Sequence, residues 1–132
     1  MLKFPHQELT KTIIGIYYDV YNEMGHGFLE KVYQNSMIVE LQSRGLKVES
    51  QKKINVYYKQ VVVGEYIPDI IVNNSVIVEL KCVEYINESH QAQLLNYLKS
   101  TECEVGLLLN FGNDPQFVRK IYTNDIKKRI KQ

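Results

Sequence analysis

Apolar positions recur at helical spacing through the first third of the chain. Leu9, Ile13, Ile14, Tyr17, Val20, Tyr21 and Met24 lie close to a 3.6-residue period and predict a helix over residues 7–24. Gly25-His26-Gly27 interrupts it. A second helix is predicted from about 28 to 44, with Leu29, Val32, Tyr33, Met37 and Leu41 facing inward. Gly45 stands where a left-handed cap ends such a helix. The period then shortens to two: Leu46, Val48 and Ser50 alternate with Lys47, Glu49 and Gln51, and Ile54 and Val56 extend the apolar face. Tyr57-Tyr58-Lys59-Gln60 reads as the tip of a hairpin leading into Val61-Val62-Val63, while Gly64 and Pro68 suggest a bulge or an edge. Three or four consecutive antiparallel strands are expected between 46 and 81.

The helical period returns from about 88 to 100, with Asn87 as N-cap and Leu94, Leu95 and Leu98 as the apolar face. Val105 to Phe111 is a nearly unbroken apolar run, as expected of a strand covered on both faces. Phe117 to Tyr122 suggests one more strand, and Lys127 to Gln132 a solvated basic tail. No repeat, linker or low-complexity segment divides the chain, so one α/β (α+β) domain is expected over 1–132.

Within this pattern the stretch Pro68 to Lys81 is unusual. It reads as two β-branched strands, 69–72 and 76–81, joined at Asn73-Asn74-Ser75, and it carries three charges: Asp69, Glu79 and Lys81. With a loop of residues 73–75, Asp69 faces Glu79 across the hairpin. Directly opposed Cβ atoms lie roughly 4.5–5.5 Å apart. Lys81 projects from the same face as Glu79, and Leu80 points the other way into a core. Opposed carboxylates repel, and partial burial would drive a proton onto one of them. A divalent cation relieves both effects, since Mg²⁺ is commonly held by one or two carboxylates plus substrate phosphates. The plainer reading is a solvated Glu-x-Lys pair at a sheet edge. A slip of one residue would put Asp69 and Glu79 on opposite faces and remove the metal reading.

Composition narrows the partners. Of 132 residues, 45% are hydrophobic and 23% charged, as in ordinary globular proteins. No run of about 18 apolar residues suggests a membrane span, and Met1 to His6 carries no signal-like apolar core, so a cytoplasmic location is the default expectation. The two cysteines, Cys82 and Cys103, match no zinc or redox spacing and read as buried small hydrophobes. A formal charge of +1 excludes a strongly basic nucleic-acid coat, so any phosphate binding is local, metal-assisted or shared with a partner.

Two further pairs stand on helix faces. Glu30 and Tyr33, in Gly27-x-x-Glu30-x-x-Tyr33, are three apart at the start of the second helix, where a glutamate also suits the helix dipole. Gln93 and Tyr97 are four apart on the third helix and could bind phosphate or orient a water, or simply form the polar side of an amphipathic helix. His26 and His90 are surface histidines that could line a cleft.

Together these residues resemble the PD-(D/E)XK nuclease superfamily. The matching pieces are Pro68-Asp69, Glu79-Leu80-Lys81, a preceding helix with Glu30 and a following helix with Gln93-x-x-x-Tyr97. Gly27-Phe-Leu-Glu30-Lys-Val-Tyr33 further resembles the signature of the small GxxExxY family. The resemblance spans about residues 7 to 122. It implies a restriction-endonuclease-like αβββαβ core, with a mixed central sheet flanked by helices, and metal-dependent phosphodiester hydrolysis, usually of DNA. It also implies Asp69, Glu79 and the Leu80 carbonyl as ligands of Mg²⁺ (or Mn²⁺), with Glu30 a further ligand, direct or through water. Lys81 would position or help deprotonate the attacking water, and Gln93 and Tyr97 would lie beside the metal and the substrate end. No catalytic position is substituted.

Three functions follow as expectations. The first is a Mg²⁺-dependent nuclease on DNA, with RNA an open alternative, in repair, recombination or defence. The second is a non-cleaving nucleic-acid- or protein-binding module that needs a partner subunit. The third is a hydrolase of smaller phosphate esters. A homodimer through an exposed strand edge or the first helix is also expected, because minimal nucleases of this kind gain surface that way.

Overall fold

A computed structural model describes residues 4–127. Met1 to Lys3 and most of the basic tail lie outside the described residues. The elements are α1 (Gln7–Met24), α2 (Glu30–Ser43), β1 (Val48–Glu49), β2 (Ile54–Tyr58), β3 (Val61–Tyr66), β4 (Ile70–Val72), β5 (Val76–Lys81), α3 (Glu88–Lys99), β6 (Val105–Asn110) and β7 (Gln116–Ile121), followed by a 3₁₀ turn at Asn124–Ile126. The predicted helix ends hold closely. Asn87 caps α3, its side chain accepting from the His90 amide at 2.9 Å. His90 returns the bond through Nδ1, so this histidine is spent on a capping box.

Five strands form a mixed sheet in the order β1-β4-β5-β6-β7. Only β5 and β6 run parallel, and α3 makes the crossover between them. The consecutive antiparallel run expected over 46–81 is not what forms. The chain leaves the sheet after β1, with Gln51 at φ 60, and β2 and β3 make a separate two-stranded sheet. β1 instead pairs with β4. Asn73 locks that junction, its side chain accepting from the Lys47 amide at 2.8 Å and its own amide donating to the Lys47 carbonyl at 2.8 Å. The detached hairpin turns at Lys59-Gln60, both at positive φ, as its tight two-residue turn requires. Opposite the step from Val56 to Tyr57, β3 carries one extra residue, Val63, which makes a bulge.

Two apolar layers sandwich the main sheet. On one side α1 and α2 bury Ile13, Ile16, Tyr17, Tyr33, Met37 and Leu41 against Ile70, Val78, Leu80 and Leu107. On the other, α3 buries Leu94 and Leu98 against Ile71, Ile77 and Leu108. Every residue of β6 is buried, as its unbroken apolar run predicts. Two expectations need correction. Leu29 precedes the first turn of α2 rather than joining its inner stripe, and it is 79% exposed. Gln34 is instead among the buried residues of that helix. Cys103 is buried, but Cys82 is exposed because it sits one residue past the end of β5; both are free thiols.

Candidate metal and phosphate site

The register of the β4–β5 hairpin decides the site. Ile70 pairs with Val78, Ile71 with Ile77 and Val72 with Val76, so the next pair outward is Asp69 with Glu79. The two carboxylates are fixed by reciprocal bonds to each other's strands. The Asp69 amide donates to Glu79 Oε2 at 2.8 Å, and the Leu80 amide donates to Asp69 Oδ2 at 2.8 Å. Gln34 of α2 donates to the Asp69 carbonyl at 2.9 Å and ties that helix to the same point.

The paired ladder ends at Ile70 and Val78, and the chain bends at Asp69. The Leu80 amide points toward the Asp69 side, as its bond to that carboxylate shows, so its carbonyl points the same way. That carbonyl therefore lies past the last paired residues of β4, beside two acidic groups and next to a proline that has no N–H to extend the ladder, while the Leu80 side chain is buried in the core.

The electrostatics follow from this packing. Burial pushes the Glu79 carboxyl up to about 8, with the neighbouring Asp69 charge adding to the rise and Lys81 opposing it. Burial also raises Glu30, again helped by Asp69 and opposed by Lys81. Glu30 stands at the exposed rim, in the first turn of α2, and feels both charges of the hairpin. On α3, burial and then Glu79 and Asp69 raise Tyr97, while a hydrogen bond from Gln93 lowers it. So Asp69, Glu79, Lys81, Glu30, Gln93 and Tyr97, drawn from β4, β5, α2 and α3, converge at one end of the sheet.

Several contributors carry no sequence signature. Tyr66, at the end of β3, stacks on Tyr97 with ring centroids 3.8 Å apart and planes 8° apart. Its hydroxyl donates to the Tyr97 carbonyl at 3.1 Å, which ties the detached hairpin to the site. Asn110 is fully buried at the end of β6. It accepts from the Val83 and Gly112 amides at 3.0 Å each and donates to the Val83 carbonyl at 2.8 Å. This clamps the segment just after Lys81. Gly112 is required there, because a Cβ would lie 2.0 Å from the Val83 oxygen. The Tyr17 hydroxyl of α1 donates to the Asn110 carbonyl and supports the clamp from below. Gln34 and Asn110 are single polar residues in apolar surroundings, and only their burial reveals them.

Among the described residues, no three His, Cys, Asp or Glu side chains stand together as a group that could hold a metal ion. The available set is two carboxylates and a backbone carbonyl, with Glu30 set back at the rim. All these donors are oxygen, which suits a hard cation such as Mg²⁺ or Mn²⁺ that keeps several waters. A carboxyl whose pKa is pushed up by burial and then by a neighbouring carboxylate is also the electrostatic state that such a cation relieves.

Comparison with known proteins bears on the family and the fold. The family model of the PD-(D/E)XK nuclease superfamily matches residues 7–121. The crystal structure of SSO0001 is similar in fold, with a TM-score of 0.57 and 15% identity over 89% of this chain. The chain spans 61% of that protein's length. No curated protein matches the sequence.

Proposed function

Because the chain belongs to the PD-(D/E)XK nuclease superfamily, we propose that it is a Mg²⁺- or Mn²⁺-dependent nuclease acting on DNA. The observation that supports this best is the locked Asp69–Glu79 pair beside the end of β5. Asp69, Glu79 and Leu80 would hold the cation, with Glu30 reaching it through water. When bound, the cation supplies a water of lowered pKa and polarises a phosphoryl oxygen. Lys81, on the same face as Glu79, would orient the attacking water and stabilise charge developing on the phosphate. Gln93 and Tyr97 would bind the non-bridging oxygens of the phosphate or of the strand end. The Gly27-x-x-Glu30-x-x-Tyr33 motif supports, in this reading, membership of the GxxExxY family.

With a net charge of only +1, the chain would gain phosphate-binding surface by pairing with a second copy, and the exposed valines of β3 offer an apolar face for that. Sedimentation at working concentration tests this; a monomer removes it. A second reading is a non-cleaving module completed by a partner subunit, favoured by the lack of a three-acid cluster among the described residues. Cleavage assays with Mg²⁺ and Mn²⁺ on single-stranded, duplex and branched DNA, and on RNA, separate the two. Asp69→Ala should abolish both cleavage and the calorimetric signal of Mg²⁺ binding. Salt-sensitive binding by wild type without cleavage would overturn the nuclease reading.

A further inference from the structure

A pocket of about 370 Å³ is lined by His26, Gly27, Phe28, Cys82, Glu84 and Asn113. It adjoins the acidic centre along the chain at two points: Cys82 directly follows Lys81, and Phe28 lies two residues before Glu30.

Phe28 is the unusual member. It is 48% exposed although it lies among buried aromatic residues. Its ring and that of Tyr33 meet in a T-shaped contact, with centroids 5.9 Å apart and planes at 82°. Tyr33 in turn stacks on buried Phe111 at 4.4 Å. The Tyr33 hydroxyl accepts from the Phe28 amide at 3.2 Å and donates to the Gly25 carbonyl, so the α1–α2 loop is bound at both ends. The loop that carries the half-exposed ring is thus tied to the core. The lining also includes the polar residues His26, Glu84 and Asn113, whose side chains are of a kind able to pair with the edge of a planar heterocycle. A rigid aromatic platform with a polar rim beside a phosphate centre is how single-stranded nucleic acid is held, the base stacking on the ring.

We propose that this pocket is a nucleobase subsite, in which Phe28 stacks on the base next to the scissile phosphate and Tyr33 is the positioning residue that presents it. The proposal rests on the nuclease reading and deepens it: the substrate strand is unpaired at the cleavage point, since a stacked and paired base could not enter. The Gly27-x-x-Glu30-x-x-Tyr33 spacing then has one physical meaning, with Glu30 turned to the phosphate and Tyr33 holding the base platform.

The test is steady-state cleavage, with Mn²⁺, of a labelled single-stranded oligonucleotide by wild type, Phe28→Ala and Phe28→Trp. The same oligonucleotide carrying an abasic residue on each side of the cut in turn completes the set. Loss of the stack in Phe28→Ala should raise KM roughly tenfold with kcat retained. One abasic position should cost wild type the same factor and cost Phe28→Ala nothing more, and Phe28→Trp should restore KM. If wild type cleaves but Phe28→Ala matches it, or the abasic oligonucleotides are cleaved as well as the parent, the subsite is refuted and the nuclease reading stands. If wild type cleaves nothing, the nuclease reading fails. The subsite is then judged by fluorescence of a 2-aminopurine oligonucleotide without metal: quenching by wild type and not by Phe28→Ala supports it, and no quenching overturns it.

Discussion

Glu79→Gln is expected to stabilise the metal-free protein at alkaline pH, although it removes a group of the proposed catalytic centre. The folded carboxyl sits at about 8 against an ordinary 4.5, because it is buried and faces Asp69. Between those values the folded chain holds a proton that the unfolded chain has released. Stability therefore falls as pH rises through this window and levels off above it. At about 1.4 kcal/mol per pKa unit, a shift of this size costs a few kcal/mol once Glu79 is ionised. Glutamine carries no charge, and its side-chain oxygen can still accept from the Asp69 amide. For a domain of this size 1 kcal/mol is worth about 4 °C in Tm, so the variant should melt roughly 10 °C above wild type at pH 9. Thermal melts in EDTA at pH 5, 7 and 9 measure the difference, which should be near zero at pH 5 and grow with pH. Added Mn²⁺ should raise the Tm of wild type at pH 8 and leave Glu79→Gln nearly unmoved. A difference between the two proteins that is flat or shrinking with pH would refute the account of a strained acidic pair.

Three other outcomes follow from the same geometry. Lys81→Ala should fold and bind Mg²⁺ by calorimetry while losing about 10²–10³ in cleavage rate, the usual effect of removing one transition-state stabiliser; undiminished cleavage would exclude the role given to this amine. Pro68→Ala adds an N–H beside Asp69 that competes for the Leu80 carbonyl, so it should leave stability within about 1 kcal/mol of wild type yet weaken metal affinity several-fold; unchanged affinity would remove that carbonyl from the ligand set. Asn110→Ala strands the buried polar groups of the Val83 segment and should cost about 2–4 kcal/mol in chemical denaturation; a loss under 1 kcal/mol would show that the clamp carries little.

The fold was legible wherever one period ran long enough. The 3.6-residue stripes fixed α1, α2 and α3 nearly to their ends, and the unbroken run at 105–111 announced a strand covered on both faces. Strand pairing was less legible, because alternation says which side a residue faces and not which neighbour it meets. That is why β1 could bypass the hairpin and join β4. The opposition of Asp69 and Glu79 could be read because the turn between them is only three residues long and fixes the register. Tyr66, Gln34 and Asn110 could not be read, since each acts through a contact tens of residues away. Phe28 escaped for the opposite reason: its importance lies in being left uncovered.

The bulge at Val63 has a consequence for the chain's behaviour in bulk. Val61, Val62 and Val63 are 61%, 50% and 61% exposed on a strand whose outer side pairs with no other strand among the described residues. A straight ribbon of that composition would template its own polymerisation, one molecule zipping onto the next. The surplus residue throws the outward amides and carbonyls off their regular spacing and twists the rim away from a would-be neighbour. Deleting Val63 should therefore turn a well-behaved solution into one that scatters light and binds thioflavin T, with the interior of the domain untouched.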